Sequence, residues 1–298
     1  MQGKKIRSDL ILLLAAIIWG FAFIAQRVGM QFVGPFIFNG IRFSLGILVI
    51  LPFLIFRKKR IWMVFPEKRE DSKKIIWGSI LTGIVLFIAI SLQQIGIMTT
   101  TAGKAGFITG LYVVFVPVAG LFLGHKMNFR IWLGVILSLT GLYFLSMTQG
   151  LKMETGDFLV FLCAICFTVH VLLIAWLSPR MDSFLLAGIQ YAICAGINLI
   201  VAFCIETFTW IQVMDAALPI LYGGVLSVGV AYTLQVVAQK KAHPAYASII
   251  LSLESVFAVI GGWLILDEKM TLRIFTGCML MLAGMIAVQI KYVKTSIP

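Results

Sequence analysis

Nine polar or aromatic residues, set in otherwise apolar stretches, carry the chemistry this sequence can offer. Glu254 stands about ten residues into the run 245–266, which holds no other charged residue. An acid at that depth of an apolar run is costly, so a functional role is its default reading. On a helix it shares a face with Ala247, Ala258 and Gly261, small residues that leave room for a cavity or a close neighbour. Proton coupling or substrate contact is one reading, and a hydrogen bond to a neighbouring helix is the other. Arg42 lies seven residues past Pro35, about 10 Å along a helix by its rise. It either binds an anion or holds its helix to the core by a buried pairing. Lys104 has a stem long enough to snorkel to the surface; otherwise it attracts a carboxylate or phosphate.

His170 sits in the middle of a run, either hydrogen-bonded for structure or serving a cavity as a proton relay. Gln93 and Gln235 occupy matching places in two runs. A lipid-facing amide would lack partners, so both are expected to face inward. Trp19, Tyr112 and Tyr232 either line the same cavity or pack as ordinary aromatics. No Gly-x-Ser-x-Gly elbow, His-Glu-x-x-His, phosphate-binding loop or dinucleotide fingerprint accompanies these residues. No catalytic residue, metal site or cofactor is therefore expected, and transport work would come from gradients or exchange. Cys163-x-x-Cys166 has metal spacing but no second ligand pair, which favours small-residue packing.

The elements that hold these groups follow from composition. The chain has 298 residues, of which 61% are hydrophobic and 12% charged. A soluble domain runs near 45–50% and about 25%. A soluble enzyme, a disordered chain and a disulfide scaffold are excluded. Ten apolar segments, at 10–26, 36–56, 75–97, 102–124, 131–147, 158–177, 183–205, 217–238, 245–266 and 274–290, have the length needed to cross hydrocarbon. Backbone groups have no water partners there, so each is expected as a helix. The basic N-terminus before Leu10 reads as the flank of a retained first helix rather than a cleaved signal.

The net charge of +12 is a matter of topology rather than of nucleic acid, since no aromatic-interleaved basic groove accompanies it. Eight of the 24 Lys and Arg fall between Arg57 and Lys74. With the N-terminus inside, eighteen lie on the inner side and five on the outer, and Arg42 lies within a span. That bias places both termini in the cytoplasm. Short loops and the lack of a transit peptide suit a bacterial-type inner membrane.

The halves repeat. Lys126-Met127-Asn128-Phe129-Arg130-Ile131 recurs as Lys269-Met270-Thr271-Leu272-Arg273-Ile274 at a spacing of 143. At that spacing Gly134 and Gly141 recur as Gly277 and Gly284, and Gln93 recurs as Gln235 at 142. Arg42 corresponds to Gln190. Two units of five helices, 8–148 and 155–292, are expected. Five is odd, so the second unit enters the membrane from the opposite side, an architecture with its site near mid-membrane between the halves. The paired glycines mark the fifth and tenth helices as scaffold. Gly106-x-x-x-Gly110 and Gly120-x-x-x-Gly124 in the fourth helix permit close packing or a homodimer contact.

Trp19-Gly20, Arg42, Pro117 and Leu253-Glu254 with Val256-Phe257-Ala258 resemble the EamA family of the drug/metabolite transporter superfamily, over about 8–292. The resemblance implies an all-α integral membrane protein of ten helices that exports small organic metabolites such as amino acids by alternating access. The cavity it implies is lined by the first, third, fourth, sixth, eighth and ninth helices. Exchange of phosphorylated solutes or sugar nucleotides, and an intramembrane enzyme acting on lipid-linked substrates, are the alternatives. Two departures stand out. Gly124-His125-Lys126 replaces the family's Gly-Glu, and Ser255 replaces a proline, which leads one to expect a straighter ninth helix. A small-molecule substrate and the bilayer are the expected partners.

Overall fold

The computed structural model describes residues 2–56, 69–146, 154–267 and 269–289. Most of the basic loop that begins at Arg57, together with Lys152, Lys291 and Lys294, lies outside them, as do the ends of both expected repeat units. Among the described residues the regular structure is all helical. Eight segments are long and apolar enough to cross a membrane, and Phe129–Phe144 and Leu272–Val288 are shorter apolar helices.

In chain order the helices are α1 (Gln2–Gly29), α2 (Pro35–Phe56), α3 (Arg69–Gly96), α4 (Ala102–Thr109), α5 (Tyr112–Phe122), α6 (Phe129–Ser146), α7 (Thr155–Leu177) and α8 (Ser183–Ile205). Then come the short α9 (Trp210–Asp215) and α10 (Ala217–Leu221), a π-helix (Tyr222–Tyr232), α11 (Thr233–Gln239), α12 (Pro244–Leu251), α13 (Glu254–Ile265) and α14 (Leu272–Gln289). The outer surface is strongly apolar: Phe56, Phe122 and Leu272 are more than four-fifths exposed. Polar side chains such as Asn39, Arg42, His170, Gln190 and Asn198 are buried instead. This inside-out distribution suits a lipid solvent, in which internal polar groups find partners and outward apolar ones cost nothing.

Side chains at the helix starts satisfy the first N–H groups. Asp182 accepts from Phe184 and Leu185 at the start of α8, and Thr101 accepts from Lys104 at the start of α4. The start of α2 is capped from a distance: Glu206, just past α8, accepts from the backbone N–H groups of Phe36 and Ile37 at 2.9 and 2.8 Å. The cap ties α2 to α8, which pack along one another.

Three segments depart from the expected continuous helices. The fourth breaks at Gly110-Leu111 and the ninth at Ser252-Leu253. The ninth is thus not the straighter helix that Ser255 led one to expect. Ser248 and Ser252 hydroxyls bond back to the carbonyls of Ala245 and Ile249, competing with the helix ladder. The eighth winds as a π-helix over the stretch holding Gly223, Gly224 and Gly229. There a Cβ on Gly224 would press on Leu45, and one on Gly229 on Val49, both in α2. The wide helix and the missing side chains let the two backbones approach.

The pair α6 and α14 packs backbone against backbone. A Cβ on Gly141 would meet the carbonyl of Gly277 at 2.6 Å, and one on Gly284 that of Gly134 at 2.9 Å. The scaffold reading of these glycines follows the geometry. Gly106 and Gly110 face Ser255 and Ala258 of α13, so this pair packs within the chain rather than offering a face to a second copy.

Candidate functional site

α1, α2, α3, α5, α7, the π-helix, α11, α12 and α13 surround a central cavity of about 30 Å3, room for one or two water molecules. Seven of the nine residues singled out from the sequence line it: Trp19, Arg42, Gln93, Tyr112, Tyr232, Gln235 and Glu254. Phe23, Gln26, Phe167, Val171, Ser227 and Leu251 also line it.

Glu254 begins α13, immediately after the break in the ninth helix, and is 5% exposed. Gly20 of α1 makes this position reachable: a Cβ there would lie 2.8 Å from the Glu254 carbonyl oxygen. The Tyr112 hydroxyl lies against Glu254. Neither that hydroxyl nor Glu254 Oε1 has a well-formed hydrogen bond among the described residues. Next in sequence, Ser255 donates its hydroxyl to the Gly106 carbonyl at 2.6 Å, locking α13 to α4.

Arg42 comes from α2. Its guanidinium carbon sits 5.5 Å from the centre of the Phe38 ring and 5.4 Å from that of Phe43. Cation–π contact of this kind stabilises a desolvated guanidinium. Its Nε has no hydrogen-bond partner among the described residues, and Arg42 is 1% exposed. Both rings stand on α2 itself, so they shield the cation within its own helix and do not tie α2 to a neighbour. The cavity thus has a cationic wall on α2 and an acidic wall on α13. The same orphaned state holds for Gln26 Oε1 and Gln235 Oε1. Such buried groups call for an account.

Aromatic rings close the remaining sides. Trp19 and Tyr232 lie 4.6 Å apart between centroids, and the Trp19 indole donates to the Ser227 carbonyl at 3.3 Å. Gln93 donates to Thr109 Oγ1 at 3.2 Å, where α4 ends.

Two candidates lie elsewhere. Lys104 pairs with Asp157 of α7 at 2.5 Å. Thr100 donates to the other carboxylate oxygen at 2.8 Å, and the Glu154 backbone N–H to the same oxygen as Lys104 at 2.9 Å. Neither snorkelling nor substrate attraction describes it: it neutralises an acid that is 2% exposed. His170 is fully buried, with Nε2 at 2.8 Å from Gln190 Oε1, an amide oxygen that requires the Nε2–H tautomer. Gln190, which corresponds to Arg42 in the sequence repeat, serves here as its partner. Gln26, Ser227 and Phe23 were missed in the sequence, since nothing distinguishes them from neighbours on their helices until the helices are packed.

Comparison with known proteins adds four findings. A family model described as the EamA-like transporter family matches residues 6–147 and 154–289. A protein of Archaeoglobus fulgidus, named as an uncharacterized transporter, is 33% identical over 292 residues, covering 97% of this chain and 87% of its own. The Bacillus subtilis transporter YoaV, likewise named as uncharacterized, is 24% identical, covering 90% of this chain and 91% of its own. A solved crystal structure resembles the fold with a TM-score of 0.79 at 17% identity, over 96% of this chain and 99% of that one.

Proposed function

Since the chain belongs to the EamA-like transporter family and is a multi-pass membrane protein, we propose that it is a secondary transporter of zwitterionic metabolites, amino acids above all, that works by alternating access. The observation that carries the reading is that Arg42 and Glu254, of opposite charge type, line one small cavity. A carboxylate suits the guanidinium of Arg42. An ammonium suits Glu254 with the carbonyl acceptors of Gln26 and Gln235. An apolar side chain suits Trp19, Phe23, Phe167 and Tyr232. A ligand pocket usually spans about 300–1,000 Å3, so a solute enters only when the surrounding helices separate.

Two inverted five-helix units would supply that movement. The breaks at Gly110-Leu111 and Ser252-Leu253 fall at nearly the sequence spacing of 143 that relates the halves. The helix pairings also map onto each other under exchange of halves: α1 with α13 answers α4 and α5 with α7, while α2 with α8 and α6 with α14 map onto themselves. The charge bias supports a plasma-membrane orientation with both termini cytoplasmic. Exchange of phosphorylated solutes needs at least two cavity cations, and Lys104 is committed to Asp157.

Counterflow in proteoliposomes tests the reading. Labelled neutral amino acids should exchange, while the matching amines and the matching acids without an amino group should exchange at least about tenfold more slowly. Equal exchange of amines and amino acids would remove Arg42 as the carboxylate site.

A further inference from the structure

A second concavity opens where the chain passes from α5 to α6, from α7 to α8, and from α11 to α12. It is a groove of about 860 Å3 whose charged lining is Arg180, Lys240 and Lys241, joined by His125 and His243. No Asp or Glu stands among the described residues lining it. The groove runs along α7 as far as Val169 and Leu172, and Gln239 of α11 also lines it. Gln239 is 2% exposed and donates through Nε2 to the Val171 carbonyl at 3.2 Å. Val171 lines the central cavity, as does Gln235, one helical turn from Gln239. The groove and the cavity are therefore neighbours across one amide bridge. Gln239 Oε1 is buried without a partner among the described residues, so the bridge uses half of the amide.

A surplus of cations at a membrane surface is common on the inner side. Here the surplus lines a concavity that leads to the wall of the central cavity. In such a concavity Arg and Lys side chains hold a carboxylate by charge-assisted hydrogen bonds, including that of a zwitterion whose ammonium stays toward water. We propose that this groove is the loading site for soluble carboxylate-bearing solutes, with the Gln239–Val171 bridge as the bar between it and the central cavity. The inference rests on the transport reading, because it assigns that reading's solute an entrance. A carboxylate is drawn to Lys240 and Lys241 first, and a solute passing inward meets the bridge before it meets Arg42. The Arg180 guanidinium, stacked on Trp176 and donating to its carbonyl, is held in place as a fixed charge at the rim.

The test needs no flux. The full chain is prepared with Cys163, Cys166, Cys194, Cys204 and Cys278 replaced, and Leu173→Cys is introduced as a reporter on the groove wall. In phosphatidylcholine nanodiscs, an anionic thiosulfonate should label this cysteine at least about fivefold faster than a cationic one of equal size. High salt should collapse the ratio, since the Debye length shrinks to about 3 Å at 1 M. The triple substitution Arg180→Gln, Lys240→Gln and Lys241→Gln should bring the ratio near one, with a neutral thiosulfonate reacting as before. Millimolar succinate should slow labelling with the cations present and not without them. A ratio near one in the unsubstituted groove, or one that survives both salt and substitution, overturns the proposal. So does a cysteine shielded in phosphatidylglycerol nanodiscs that succinate never protects, which would make the groove a lipid headgroup seat. Because labelling is independent of transport, the counterflow experiment can fail while this one succeeds, and the reverse.

Discussion

The Ser255 hydroxyl donates to the Gly106 carbonyl at 2.6 Å, one residue away from the acid of the central cavity. The bond joins α13 to α4 at the breaks of the ninth and fourth helices. Gly106 allows it, since a Cβ there would lie 3.1 Å from Ala258 Cβ. Ser255, the neighbour of Glu254 in sequence, thus ties the start of α13 to α4.

Ser255→Ala should lower stability by about 1–2 kcal/mol, the cost of leaving a buried carbonyl unsatisfied. In a chain of this size that is a melting shift of about 2–4 °C. Thermal denaturation in detergent measures it. An unchanged melting point together with unchanged flux would make the bond incidental.

Glu254→Gln keeps the size and polarity of the side chain and removes its charge. Uptake driven by a pH gradient should fall at least about tenfold, while exchange of amino acids persists. Glu254→Leu should abolish both and lower the melting point. Full concentrative uptake by Glu254→Gln would assign Glu254 a structural role only.

At the other end of α4, Lys104→Met strands Asp157 without its cation. Breaking a fully buried pair costs about 3–5 kcal/mol; Lys104 is 23% exposed, so water recovers part of that. Lys104→Met should therefore melt several degrees lower, and Asp157→Asn in the same chain should restore much of the loss. A double variant no better than the single one would show that the pair does not act as a unit.

His243 offers a pH readout. Its burial, and then the neighbouring imidazole of His125, lower its pKa from the ordinary histidine range. Its Nδ1 accepts from the Ala245 N–H at 3.3 Å, which only an unprotonated nitrogen can do. Lys240 and Lys241 on its own loop, and Lys126 beside His125, add positive charge nearby. In the unfolded chain the residue takes a proton near pH 6.5, and in the fold only at lower pH. The unfolded state therefore binds more protons in that window, and stability falls as pH drops from above 6.5 through the folded value. Melting points from about pH 8 to about pH 5 should show this decline, and His243→Asn, a good helix cap, should flatten part of it. Parallel curves would exclude His243 as the source.

Orientation is open to labelling. In a cysteine-free chain, a single cysteine at Gln212 should react with an impermeant thiol reagent on intact cells. One at Lys241 should react only after permeabilisation. The reverse pattern would invert the charge argument.

Composition alone gave the class of the protein, and residue type and place in the spans picked out half of the residues that line its central cavity. Length and apolar content leave no solvent but lipid for these helices. A charge or amide inside a span is conspicuous because it is expensive there, so Glu254, Arg42, Gln93 and Gln235 could be picked out one at a time. The glycines Gly134 and Gly141, recurring as Gly277 and Gly284, marked α6 and α14 as closely packed scaffold, and the fold shows that they pack against each other. The partners of these groups emerged only when the helices packed. Lys104 and Asp157 are 53 residues apart, and neither residue's spacing names the other, so the cation left the cavity for a buried acid. His170 found Gln190 in the same way. The break at Ser252-Leu253 and the π-helix ahead of Tyr232 depend on hydroxyls and on a neighbouring backbone that periodicity does not encode. The basic groove lies where three connections meet, and no single stretch of chain contains it.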